Sequence, residues 1–308
     1  MYTGEFLSIA VAVSWTVTAL FIEQASRRIG SLVVNVIRMV FSFLLIGGLL
    51  FFTTGSFWPQ LTDGPTWFWM VLSGLVGFVF GDFCLFYSYT LITSRFSQLI
   101  MTLAPPFAAL CGWLMLQETM PLLAVAGMCV TLTGIAVSIF NRPREGEKLA
   151  LKIPLKGILF AVGGALGQGV GIVLSKKGML HYELSAVGDE TIASYIPFAA
   201  TQIRVITGFA GFTLVVLLSG RWSKLKAAFK DRKGLSSTFW GSFFGPFVGV
   251  SLSLMAVLYT SAGVASTIMA TVPILILLPY RLIYKQRITW PEVVGACVSV
   301  CGVALFFF

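Results

Sequence analysis

Charge is what this sequence has least of. Of 308 residues only 11% are Asp, Glu, Lys or Arg, while 57% are apolar; soluble domains carry about 25% charged residues. A water-soluble fold of this length needs charged side chains to cover its outside. Here long uncharged runs follow one another, and lipid has to serve as solvent for most of the surface. Histidine is nearly absent, with His181 alone. There is no HExxH and no Walker A loop, and the helix interiors hold one aspartate, Asp82, and no histidine. Metalloprotease, nucleotide hydrolase and intramembrane protease readings therefore lack their residues, and the chain does not read as an enzyme. The cysteines, Cys84, Cys111, Cys129, Cys297 and Cys301, all lie inside apolar segments. They read as small packing residues, with neither a disulfide framework nor a metal site, and no cofactor is expected. The net charge of +9 comes with no basic stretch interleaved with aromatics, so nucleic acid is not indicated as a partner.

What is present is a series of apolar runs. A span of about 20 residues crosses a hydrocarbon core at 1.5 Å per residue. Such runs lie near 5–25, 32–52, 67–91, 96–116, 122–140, 155–175, 198–218, 236–258, 264–284 and 290–308, ten in all. The first lacks a basic leader and is too long for a signal peptide, so it reads as helix 1. The long hydrophilic stretches are Asn141 to Lys156, Lys176 to Ile196 and Gly220 to Ser237, and no soluble domain is attached. Residues 73–140 align without a gap with 241–308, so that Gly77, Gly81, Pro105, Gly127, Cys129 and Gly134 recur as Gly245, Gly249, Pro273, Gly295, Cys297 and Gly302. Upstream, Val36-Ile37-Arg38 corresponds to Gln202-Ile203-Arg204 with a small shift. The duplication thus covers five helices, and an odd number per copy forces the halves into opposite orientations. The predicted fold is an all-α integral membrane protein of ten transmembrane helices, built as two inverted five-helix repeats around a central cavity. Residues 1–140 form the first repeat, 141–156 a basic linker and 157–308 the second repeat.

Lys and Arg set the orientation. Apart from Arg38 and Arg204, all of them except Lys176 and Lys177 fall in loops 1–2, 3–4, 5–6, 7–8 and 9–10 or at the helix ends beside them. That asymmetry places those loops in the cytoplasm and both termini outside. All tryptophans but Trp15 fall near predicted helix ends, at the depth of the headgroups. Glycines at four-residue spacing, Gly77 and Gly81, then Gly163, Gly167 and Gly171, then Gly241, Gly245 and Gly249, mark faces for close helix packing.

Ionisable groups at membrane depth cost roughly 2.5 to 3.5 kcal/mol on insertion scales, so each asks for a reason. Arg38 in helix 2, Asp82 in helix 3 and Arg204 in helix 7 qualify. Arg38 and Asp82 lie at comparable depth. Two readings are open for them: a pair that pins two helices, or a site where Asp82 takes up a proton or an ammonium group under the influence of Arg38. Arg204, placed about seven residues inside the outer end of its helix, has Val250 where the first half has Asp82. It either snorkels outward, borrows an acid such as Glu118, or faces a cavity and holds an anionic group. Trp15, Gln98, Gln168, Tyr259 and Tyr280 are further candidates for a cavity wall, each with plain packing as its alternative. Pro105, Pro106, Pro273 and Pro279 either kink their helices or free carbonyls at depth. Glu23 beside Arg27 reads as an interfacial ion pair.

The ten helices in two copies of five, the prolines of Leu103-Ala104-Pro105-Pro106 and Thr271-Val272-Pro273, and the glutamate of Leu116-Gln117-Glu118 together resemble the EamA-type drug/metabolite transporters. The likeness covers the whole chain, although Gln286 stands where the second copy would repeat the glutamate. The resemblance implies a basket of helices 1 to 4 and 6 to 9 around a cavity, with helices 5 and 10 outside it, working by alternating access. The expected function is a secondary transporter exporting a small metabolite, an amino acid or similar polar or amphipathic solute, across a bacterial-type inner membrane. Its partners would be that solute, a coupling proton or ion, and the lipid bilayer. A facilitative channel or ion-conducting pore is the alternative.

Overall fold

With no water to satisfy amides in a bilayer core, an apolar chain has to close its backbone hydrogen bonds within each segment, and helices result. The computed structural model describes residues 3–116, 122–139, 153–259, 268–285 and 288–305, and no strand occurs among them. In chain order the α-helices are α1 (Thr3–Ile29), α2 (Ser31–Thr54), α3 (Gly64–Ser73), α4 (Phe83–Ile100), α5 (Ala104–Leu116), α6 (Leu122–Ile139), α7 (Leu155–Ser185), α8 (Glu190–Leu218), α9 (Trp222–Ala228), α10 (Arg232–Ser242), α11 (Ser251–Tyr259), α12 (Val272–Leu275), α13 (Leu277–Tyr284) and α14 (Trp290–Ala304). A π-helical stretch, Gly74–Asp82, joins α3 to α4, and a second, Phe243–Val250, joins α10 to α11. The two stretches fall at the offset that relates the two copies of the sequence. Five helical stretches, Thr3–Ile29, Ser31–Thr54, Gly64–Met115, Leu155–Ser185 and Glu190–Leu218, are long and apolar enough to cross a membrane.

The third of these turns back on itself. Thr93 has φ 72° and ψ 159° inside α4, a left-handed backbone that a β-branched residue rarely adopts. The break separates the expected helices 3 and 4. Proline placement also differs from a plain kink. Pro105 and Pro106 open α5 after a 3₁₀ turn, Met101–Leu103, and Pro273 stands in the first turn of α12. In those positions a missing N–H removes no regular helical bond.

Two expectations are corrected. The stretch 176–196, read as a hydrophilic loop, is largely helical. α7 continues to Ser185, and α8 starts at Glu190 on an Asp189 cap whose side chain accepts from the Ile192 N–H at 3.0 Å. Arg204 therefore stands in mid-helix and not near the outer end. Second, Glu23 pairs with Arg27 as expected, but its own side chain is fully buried in the protein.

The glycine faces meet one another. A Cβ built on Gly167 of α7 would lie 2.9 Å from the Gly81 nitrogen, and one on Gly171 would lie 2.9 Å from the Gly77 Cα. Ser73 Oγ donates to the Gly171 carbonyl at 2.7 Å across the same contact. The first π stretch and α7 thus touch backbone to backbone, which side chains would forbid. At the matching place α1 packs on α10, the second π stretch and α11, here with side chains laid on the glycines. Gly241, Gly245 and Gly249 face Ile22, Thr18 and Trp15. Trp15, the mid-membrane tryptophan, is half-buried with its indole laid on Gly249, where the matching contact has Gly167. Because backbone cannot retreat as a side chain can, Gly167→Ala is expected to destabilise the protein by about 1–3 kcal/mol, read as a lower melting temperature in detergent. An unchanged melting temperature would mean that α7 and the π stretch separate freely.

α6 and α14 pack on each other through equivalent positions. Thr131 Oγ1 donates to the Ser299 carbonyl at 3.4 Å, and Ser299 Oγ donates to the Thr131 carbonyl at 3.3 Å. Gly134 meets Gly295 and Ser299, and Gly302 meets Gly127 and Thr131. The numbers fall along one helix as they rise along the other, so the two run antiparallel, with the reciprocal contacts of a local twofold.

Candidate functional site

Asp82 closes the first π stretch, and a π turn widens the helix and redirects its side chains and carbonyls, a device common at functional positions. Each oxygen of its carboxylate accepts a hydrogen bond. Arg38 of α2 donates from Nη2 to Oδ2, and Gln168 of α7 donates from Nε2 to Oδ1 at 2.7 Å and to the Gly77 carbonyl at 3.2 Å. The Arg38 guanidinium also lies 4.8 Å from the Phe86 ring centre and 5.5 Å from that of Phe78. On the other side of Phe78, at 4.4 Å, sits the guanidinium of Arg204 from α8. Arg38 and Asp82 are each 4% exposed and Arg204 is 8% exposed, so two cations and one anion share a dry interior. Two of these elements come from residues before 140 and two from residues after 155. In low dielectric a lone charge is far costlier than a paired one. Asp82 with Arg38 is paired, whereas Arg204 takes part in no salt bridge among the described residues.

Of the residues singled out from sequence, Arg38, Asp82, Gln168 and Arg204 thus come together. Gln98 does not join them: its Nε2 donates to the hydroxyl of Tyr89, a buried residue stacked on Phe86, at 2.8 Å. Trp15 packs on Gly249. The side chain of Tyr259, together with Glu118, Gln286 and the linker 141–152, lies outside the described residues.

Tyr280 belongs to a second cluster that sequence reading missed. Glu23 Oε2 accepts from the Ser94 N–H at 2.9 Å and from Ser94 Oγ at 2.5 Å. Glu23 Oε1 accepts from Arg27 Nε at 3.0 Å and from the Tyr280 hydroxyl at 3.3 Å. The carboxylate therefore caps the helix that restarts after Thr93 and ties α1 to α4 and α13. Next to it, Arg95 lies 5.2 Å from the Tyr280 ring centre and 3.1 Å from Glu292 of α14, both ions buried. Arg95 reads from sequence as a loop anchor, yet it is packed inside. A signal was present in Thr289-Trp290-Pro291-Glu292, whose spacing is that of a capping box, and Glu292 does cap α14 while holding Arg95. Farther out, Arg28 donates from Nε to Asp231 Oδ2 at 2.9 Å, and that pairing holds the Asp231 carboxyl below its ordinary range.

Clefts lie away from the central charges. One is lined by Leu50, Thr54, Trp58, Tyr182, Ile192 and Tyr195, the other by Arg95, Leu99, Pro273, Leu277, Glu292 and Ala296. Around the charges themselves, Phe78 and Phe86 occupy the space between helices.

Two segments of the chain, residues 2–140 and 155–308, match the model of the EamA-like transporter family. The chain belongs to that family. It is accordingly a membrane transporter with an all-helical, two-copy layout. A solved structure titled only "Crystal structure of protein" has the same fold, with a TM-score of 0.55 at 15% identity, over 99% of this chain and 96% of that chain. No curated protein matches the sequence.

Proposed function

We propose that this EamA-like transporter is a secondary carrier that exports a small metabolite, an amino acid or similar polar or amphipathic solute, by alternating access. The observation that carries the reading is the buried set of Arg38, Asp82, Gln168 and Arg204, drawn from both copies of the sequence. A set that bridges two halves changes when the halves rock against each other, which is what alternating access requires. The antiparallel, reciprocal contact of α6 with α14 supports two opposed five-helix halves and ten spans, with helices 5 and 10 forming the dyad contact. Asp82 offers an acceptor for a proton or an ammonium, Arg204 a donor, and Phe78 and Phe86 an apolar wall. The membrane is of the bacterial inner type, with the basic loops inside.

Proteoliposomes test the proposal. Uptake of radiolabelled amino acids should saturate, be competed by unlabelled solute and be driven by counterflow. Unitary currents without competition would replace the carrier with a pore. Orientation is tested apart from transport: a cysteine placed between 220 and 237 should react with an impermeant maleimide only after the cytoplasmic face is opened. Labelling from the external face of intact cells would reverse the topology.

A further inference from the structure

We propose that Arg204 anchors an anionic group of the transported solute, a carboxylate or a phosphate. The proposal rests on the carrier reading and names its substrate class.

Position comes first. Arg204 stands fourteen residues from Glu190 and fourteen from Leu218, the two ends of α8. Its guanidinium packs inward on Phe78 and the residue is buried among helices, so the group does not reach outward to the surface. Its surroundings come next. The residue is more than nine-tenths buried, and its Nε has no hydrogen-bond partner. Among the described residues no carboxylate pairs with it. Asp82 acts on it electrostatically, but the Asp82 oxygens bond to Arg38 and Gln168 and form no salt bridge with Arg204.

Magnitudes decide what this means. Stacking on Phe78 offsets only part of the cost of burying a guanidinium. Burying one ion costs several kcal/mol even after relaxation. Two guanidinium groups against one carboxylate leave the interior with one positive charge too many, and a single anionic group would balance it. A guanidinium meets a carboxylate or phosphate through two parallel N–H donors, a geometry that lysine cannot copy. Gly77 lets the guanidinium pack directly on the π-helical backbone, since a Cβ there would lie 2.8 Å from Arg204 Nη2. Asp82 keeps a lone pair on each oxygen beyond its bonds to Arg38 and Gln168, so it can also accept from an ammonium, which favours zwitterions.

The test uses purified full-length protein and two matched sets of probes, with melting temperature as the readout. L-amino acids and sugar phosphates carry the anion; L-amino-acid amides and free sugars lack it. At least one anionic probe should raise the melting temperature of the wild type while its matched neutral probe does not, and the arm that responds tells carboxylate from phosphate. Arg204→Gln should abolish that rise, and Arg204→Lys, which keeps the charge, should weaken apparent affinity at least tenfold, about 1.4 kcal/mol. Equal stabilisation by neutral probes, or full affinity in a well-folded Arg204→Lys protein, overturns the anchor and leaves the carrier standing. Absence of binding by every anionic probe also overturns it. The carrier reading fails separately, when proteoliposomes take up no member of either set.

Discussion

Asp82→Ala is expected to abolish solute exchange and to lower the melting temperature of the detergent-purified protein by on the order of 10 °C. Removing one partner of a buried pair typically costs 3–5 kcal/mol, because the remaining charge is left dry and unmatched (roughly these values in soluble cores). Here the loss is compounded. Arg38 loses its only salt bridge among the described residues, Gln168 loses an acceptor, and Arg204 loses the carboxylate whose field reaches it. The double variant Arg38→Met with Asp82→Leu removes the pair as a unit and fills its volume. It should recover at least half of the lost melting temperature, since a buried ion pair adds little over a well-packed apolar pair. Exchange should stay absent, because the acceptor for a proton or ammonium is gone. Two readouts thus separate a pinning role from a working one. If the double variant transports at the wild-type rate, Arg38 and Asp82 only hold helices together.

Glu23→Ala should be about as damaging to stability, for a different reason. The Glu23 carboxylate accepts from the backbone and the hydroxyl of Ser94, from Arg27 and from Tyr280. Ser94 follows Thr93, whose positive φ is a conformation that costs on the order of 1–3 kcal/mol and persists only where neighbours enforce it. Glu23 is that enforcement: it satisfies the first free N–H of the restarted helix, which a truncated side chain leaves unbonded in a dry site. A loss of about 3–5 kcal/mol follows from the buried donors of Ser94 and Tyr280 left unbonded, at about 1–3 kcal/mol each; Arg27, whose side chain is 44% exposed, is rehydrated and adds little. Glu23→Gln keeps an acceptor for Ser94 while giving up the charge, and should retain roughly half of the stability difference. Melting curves in detergent measure both. Equal melting temperatures for Glu23→Ala and the wild type would show that the break at Thr93 stands without the cap.

Both clusters were only partly legible beforehand. Arg38, Asp82 and Arg204 stand out in the sequence because a charged residue in an apolar run is visible without any knowledge of contacts. The partner of Arg38 was open to inference from depth alone. Gln168 was one polar residue among several. That Arg204 would share a phenylalanine with Arg38 was not visible, since Phe78 is one of 27 phenylalanines in a chain where aromatics carry little information. The Glu23 and Arg95 contacts were obscured for the opposite reason. Both residues sit at the ends of apolar runs, where charge is ordinary, and only the approach of α13 and α14 buries them.

Composition and order alone determined that this chain lives in lipid, that most of its apolar segments close into helices, that one pattern is written twice, and that its glycines lie on faces. These follow from solvent and helical period, and both can be read along one dimension. Tertiary structure decided which faces meet: Gly77 and Gly81 on Gly171 and Gly167, Gly249 under Trp15, α6 against α14. It also decided that α8 begins at Glu190, which puts Arg204 at a helix centre, and that its guanidinium turns inward onto Phe78, which removes snorkelling from its choices. Where two helices cross is fixed by the packing of every helix around them, so the company a buried charge keeps is settled in three dimensions and cannot be read from its own segment.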